Sequence, residues 1–114
     1  MKRFMLSVVL SLFSFTSYSN VECKGEVAGV TLSPSGQLHV KKFKNWRWIK
    51  ICSVHNTINN TSPEACRAIY SLLLAAQVSK KEVSFWFNEG DCQVSSQTPW
   101  TLLNSWYFGP MLVD

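Results

Sequence analysis

The sequence predicts a small, mainly β domain with one helix, held together by disulfides. Three observations point there. Several short runs rich in valine, isoleucine, phenylalanine and tryptophan alternate or break at turn residues. One longer stretch, 62–79, changes to a three- and four-residue apolar period. All four cysteines lie beyond an N-terminal apolar stretch that reads as a leader.

Met1-Lys2-Arg3 is basic, Phe4 to Phe15 is mostly apolar, and Ser17-Tyr18-Ser19 supplies small residues where signal peptidase reads. The apolar run is shorter than the ~20 residues that span a bilayer, so a cleaved signal over 1–19 is expected rather than an anchor. Cys23 follows Asn20-Val21-Glu22, which lacks the apolar and small side chains of a lipid-attachment site. Residues 20–114, 95 of the 114, are then one domain exported to the periplasm or beyond. A chain this short buries only about two-thirds of its unfolded surface, so cross-links matter.

Taken in order, Glu26 to Leu32 is the first expected strand and Ser33-Pro34-Ser35-Gly36 a tight turn, with Pro presetting φ and Gly tolerating positive φ. Gln37 to Phe43 completes a hairpin, and Arg47 to Val54 is a third strand after the turn at Lys44-Asn45. A polar loop, His55 to Thr61, leads to Ser62-Pro63-Glu64, which starts a helix: Ser62 caps, Pro63 suits the first position, and Glu64 complements the dipole. Ala65, Ile69, Leu72, Leu73 and Ala76 form its expected buried face, and Lys80-Lys81 follow its end. Glu82 to Asn88 is a fourth strand with Val83, Phe85 and Phe87 on one side. Trp100 to Phe108 is a fifth, interrupted by Asn104 and Ser105.

Three strands, a helix and two strands is the chain order of a five-stranded OB-fold-like barrel; a plain α+β sandwich is the other arrangement compatible with it. Four cysteines allow three pairings. Cys52 ends the third strand and Cys66 opens the helix, so a Cys52–Cys66 bridge would pin helix to sheet. Cys23 is left for Cys92, and first and fourth strands are neighbours in such a barrel. Zinc is disfavoured: no C-x-x-C knuckle is present, and His39 and His55 stand singly. No metal and no cofactor is expected.

The full chain is +4, but losing Lys2 and Arg3 leaves nine basic and seven acidic residues, a net +2. That balance and export both argue against nucleic acid. Lys41, Lys42, Lys44, Arg47 and Lys50 are clustered, either as a solvated strand face or as a patch for an anionic glycan, lipid head group or partner protein. No serine elbow, histidine–acid pair or paired carboxylate motif appears, so a non-enzyme is expected. His39, between Leu38 and Val40, should point outward. The five tryptophans are the better lead. Alternation places Trp48 and Lys50 outside the third strand and Trp86 outside the fourth, with Trp46 at the strand entry able to join them. Trp46, Trp48, Lys50 and Trp86 are therefore the candidate ligand- or partner-binding residues. Rings with basic neighbours suit sugar stacking or a subunit interface, whereas rings that plug the barrel ends would be core.

Cys23-Lys24-Gly25, Trp48-Ile49-Lys50-Ile51-Cys52, Ser62-Pro63-Glu64-Ala65-Cys66, Leu72-Leu73-Leu74-Ala75-Ala76 and the late Cys92 together resemble small exported proteins of Gram-negative bacteria. The strand order, the helix and Trp106-Tyr107-Phe108-Gly109-Pro110 are similar to B subunits of AB5 toxins, of the subtilase-cytotoxin type. That resemblance implies a disulfide-bonded OB-fold assembling as a homopentamer and binding cell-surface glycans; it carries over no sugar-binding residue. The expected function is thus an exported binding module, a glycan-binding, ring-forming subunit. The alternative is a monomeric periplasmic interaction or inhibitor protein that binds another exported protein.

Overall fold

The computed structural model describes residues 20–114. The expected signal over 1–19 lies outside the described residues. Five strands and one main helix follow in order: β1 Val21–Leu32, β2 Gln37–Phe43, β3 Trp46–Ser53, α1 Pro63–Ser79, β4 Glu82–Phe87 and β5 Trp106–Leu112. All pairings among these strands are antiparallel, and they make one sheet in the order β3-β2-β1-β4-β5. Long β1 serves both halves. Its first part pairs with β4 from Val21↔Phe87 to Glu26↔Glu82, and its second part with β2 from Val27↔Phe43 to Leu32↔Leu38.

The mainly β, one-helix class and the strand order are as expected, but the sheet is not a closed barrel. The gap between β3 and β5 is crossed by a short segment, Trp100 to Leu103. It runs beside β3 through a parallel bridge between Lys50 and Leu102. Three backbone bonds hold it: Trp100 N–H to Trp48 O (2.9 Å), Lys50 N–H to Thr101 O (3.0 Å) and Leu103 N–H to Lys50 O (2.7 Å). Asn59 clamps the same junction, its Nδ2 donating to Ile51 O at 3.2 Å and Leu103 O at 2.9 Å. The fifth strand therefore begins at Trp106 rather than Trp100. Ser105, with φ +68°, lies at the interruption that Asn104 and Ser105 mark in the sequence, and only the part after it is strand.

The core is an aromatic and aliphatic layer between sheet and helix. Phe43, Phe85 and Phe87 pack with Trp46, with ring centroids 5.3–6.5 Å apart. Ile49, Ile51, Leu38, Val40, Val83 and Leu103 fill the rest. The buried face of α1 is Cys66, Leu73 and Ala76, flanked by Ile69, Tyr70 and Leu72. Ala65 is exposed, one position out of phase with the expected stripe. Ser62 caps as expected, accepting from Ala65 N–H at 3.1 Å. At the other end Lys80 takes a left-handed conformation and Lys81 N–H bonds back to Ala76 O at 3.0 Å, a Schellman closure.

Both expected disulfides are present. Cys23–Cys92 and Cys52–Cys66 each have a Cα–Cα distance of 5.7 Å. A bulge places Cys52: His39 pairs with Lys50 but Leu38 with Cys52, so Ile51 is the extra residue, and both Ile51 and Cys52 turn inward. Two disulfides fit an oxidising, exported compartment. Among the described residues, no helix is long and apolar enough to cross a membrane.

One further bend decides where the tryptophans go. Along β1, β2 and β3 the inside–outside alternation slips at the same row, where Gly29, Lys41 and Trp48 fall side by side. Lys41 and Lys42 are consecutively exposed on β2, and Arg47 and Trp48 are consecutively outward on β3. Gly29 and Trp48 both have positive φ, +67° and +53°, which rotates the strands out of regular pleating. A Cβ on Gly29 would collide with Lys41 Cβ, so glycine lets the strands close up at the fold in the sheet.

Candidate functional site

Because of this bend, Trp46 and Ile49 both point inward although their numbers differ in parity. Trp46 is 1% exposed, and its Nε1 donates to Gln93 O at 2.8 Å. The expectation that Trp46 joins Trp48 outside is corrected: strict alternation fails across a residue at positive φ. Trp48 and Lys50 do stand on the outer side of β3, each half-buried.

Trp48 does not have Trp86 as its neighbour. Two strands, β2 and β1, lie between β3 and β4. Trp86 stands opposite Glu22 on one side and Phe108 on the other. Beside it Ser84 is fully buried and donates to Glu22 Oε2 at 2.6 Å, and Glu22 pairs with Lys24 at 3.6 Å. The expected single face is therefore two separate aromatic groups.

The partner of Trp48 is Trp100, which the sequence reading assigned only to a strand. Their rings stack at 4.9 Å between centroids with an interplanar angle of 8°. The backbone bond from Trp100 N–H to Trp48 O fixes this geometry, and Trp100, itself at φ +67°, remains 63% exposed. The His39 ring lies 6.1 Å from that of Trp100, and His39 stands opposite Lys50 across β2–β3. Lys41 falls opposite Trp48, between the Val40↔Ile49 and Lys42↔Arg47 pairs.

This face is cationic. The one ion pair among the described residues, Lys24–Glu22, lies elsewhere, so Lys41, Lys42, Arg47 and Lys50 meet no carboxylate there. Burial lowers the His39 pKa; a hydrogen bond with the Gln37 backbone opposes the shift, and the Lys50 charge adds to it. An indole with an open face offers the flat apolar surface on which the C–H side of a sugar ring rests, and the cations offer contacts for its oxygens. The signal that could have found Trp100 is Thr98-Pro99-Trp100, a turn delivering an aromatic residue. Its stacking partner is 52 positions away and set by a parallel bridge, which periodicity does not reveal.

Two acids, Glu89 and Asp91, lie in the β4–β5 connection. Glu89 accepts from Ser105 Oγ at 2.8 Å, and Asp91 accepts from Gln93 N–H at 3.0 Å and from Ser96 Oγ. The Ser96 and Gln93 bonds hold the Asp91 carboxyl below its ordinary pKa. These bonds brace the loop. Among the described residues, no three His, Cys, Asp or Glu side chains are grouped to hold a metal ion.

No protein family, curated protein or solved structure matches the chain.

Proposed function

We propose that the protein is an exported carbohydrate-binding module whose ligand lies on the outer face of β2 and β3. The observation that carries this reading is the Trp48–Trp100 stack, with Trp100 largely exposed and His39 and Lys50 beside it. In five-stranded sheets of this order, the face of the second and third strands and the loop before the last strand take oligosaccharides or oligonucleotides. The disulfides fit an oxidising compartment, which favours the sugar. Binding by this face requires no particular number of subunits, so the reading stands apart from the ring of five that the resemblance implies.

A glycan array probed with the purified oxidised protein tests the proposal. A glycan should be retained, and Trp100→Ala should weaken its binding by about tenfold or more, as loss of a stacking aromatic does. Equal binding by the variant, or no retained glycan at all, would remove the reading.

A further inference from the structure

We propose that β5 is the contact through which two copies of this chain associate, edge to edge about a two-fold axis. β5 ends the sheet, and its outer backbone edge has no neighbouring strand among the described residues. Edge strands are normally guarded by charge. Here the other four strands each carry charged residues: Glu22, Lys24 and Glu26 on β1, Lys41 and Lys42 on β2, Arg47 and Lys50 on β3, and Glu82 on β4. β5, Trp106-Tyr107-Phe108-Gly109-Pro110-Met111-Leu112, carries none, and Pro110 is its single guard. Tyr107 and Phe108 are 50% and 58% exposed, with Met111 and Leu112 at 43% and 37%. A groove of about 480 Å³ opens between this strand and Leu72 of α1, room for an apolar side chain from a partner.

The occupant follows from the other edges. The outer edge of β3 is taken by Trp100 to Leu103, and the far half of β1 is capped where Val30 N–H donates to Gln77 Oε1 at 2.9 Å. Among the described residues, β5 is therefore the strand edge that a second copy leaves uncovered. Electrostatics select the same place. The chain beyond residue 19 is net positive, and its cations concentrate on β2 and β3, so two copies repel least where both strands are neutral. An antiparallel β5–β5 pair closes on itself, whereas a ring needs two different complementary surfaces.

Light scattering on protein recovered oxidised from the periplasm of an expressing host tests this. The expected mass is that of two copies at micromolar concentration. Phe108→Lys combined with Met111→Lys should raise the dissociation constant at least about thirtyfold and leave the disulfides and the unfolding midpoint of the monomer in place. A native monomer, a ring of five, or a double variant that still pairs would overturn the proposal. Should the double variant fail to fold, hydrogen exchange of the native protein decides. Protection of the amides in 106–112 must rise with protein concentration, and protection independent of concentration would equally overturn it.

Discussion

Trp46→Ala tests the bend that organises the sheet. Trp46 is 1% exposed, lies 5.6 Å ring to ring from both Phe43 and Phe87, and donates its indole N–H to Gln93 O at 2.8 Å. Truncating a buried aromatic to alanine costs about 3–5 kcal/mol, and stranding the Gln93 carbonyl adds about 1 kcal/mol. A domain of this size has roughly 5–14 kcal/mol to lose. At about 4–8 °C per kcal/mol, the melting temperature should fall by at least about 15 °C. Trp46→Phe keeps most of the ring packing and should lose roughly 1–2 kcal/mol. Trp100→Ala, at an exposed ring, should cost under about 1 kcal/mol. Thermal and guanidinium unfolding of the three variants, followed by circular dichroism, gives the comparison. A loss below about 2 kcal/mol for Trp46→Ala, or a larger loss for Trp100→Ala, would show that the strand does not change phase at Trp48.

Three further outcomes are expected. Gly29→Val, forced to φ +67° with a Cβ against Lys41, should cost about 2 kcal/mol or more in guanidinium unfolding; a change within ~0.5 kcal/mol would remove the three-strand bend. His39 has a folded-state pKa below its ordinary 6.5, so the unfolded chain binds the proton more readily; stability should decline as pH falls from about 6.5 through the folded value. His39→Gln should flatten that part of the pH–stability curve, and an unchanged slope would point to other groups. Reduction should cost roughly 3 kcal/mol for the Cys52–Cys66 bond, which spans 14 residues, and about 4 kcal/mol for Cys23–Cys92, which spans 69. Non-reducing peptide maps should recover these two linked pairs, and a mixed pair would contradict the β1–β4 adjacency.

Much of the fold was legible because it is locally encoded. β2 is bounded by its own turns, and α1 begins at Ser62-Pro63 and ends at the lysines after Ser79. The disulfide pairing was legible once the order of elements was read. The bend was not, since nothing in Arg47-Trp48-Ile49 announces a positive φ; that conformation is imposed by strands pairing across Gly29 and Lys41. Trp46 and Trp48 therefore share a parity in sequence and opposite sides in the fold. The early start of β1 was hidden for a related reason. Val21 to Gly25 is extended because β4 pairs with it, and its own residues, Glu-Cys-Lys-Gly among them, carry little strand preference. Of the candidate site, Trp48 and Lys50 were legible from alternation. Trp100 was not, because it arrives through a loop.

The divided pairing of β1 also sets the order in which the molecule can be finished. Its second half finds β2 at once, across a short hairpin, but its first half waits for residues 82–87, some sixty positions later. The long disulfide and the Lys50–Leu102 bridge wait longer still. A chain with such distant pairings holds no complete sheet until residues 106–112 are available, since loop closure precedes the contacts that reward it. Before residues 82–87 join, only the local β1–β2–β3 meander and the α1 helix can form. The two cross-links that then lock the fold form where thiols are oxidised.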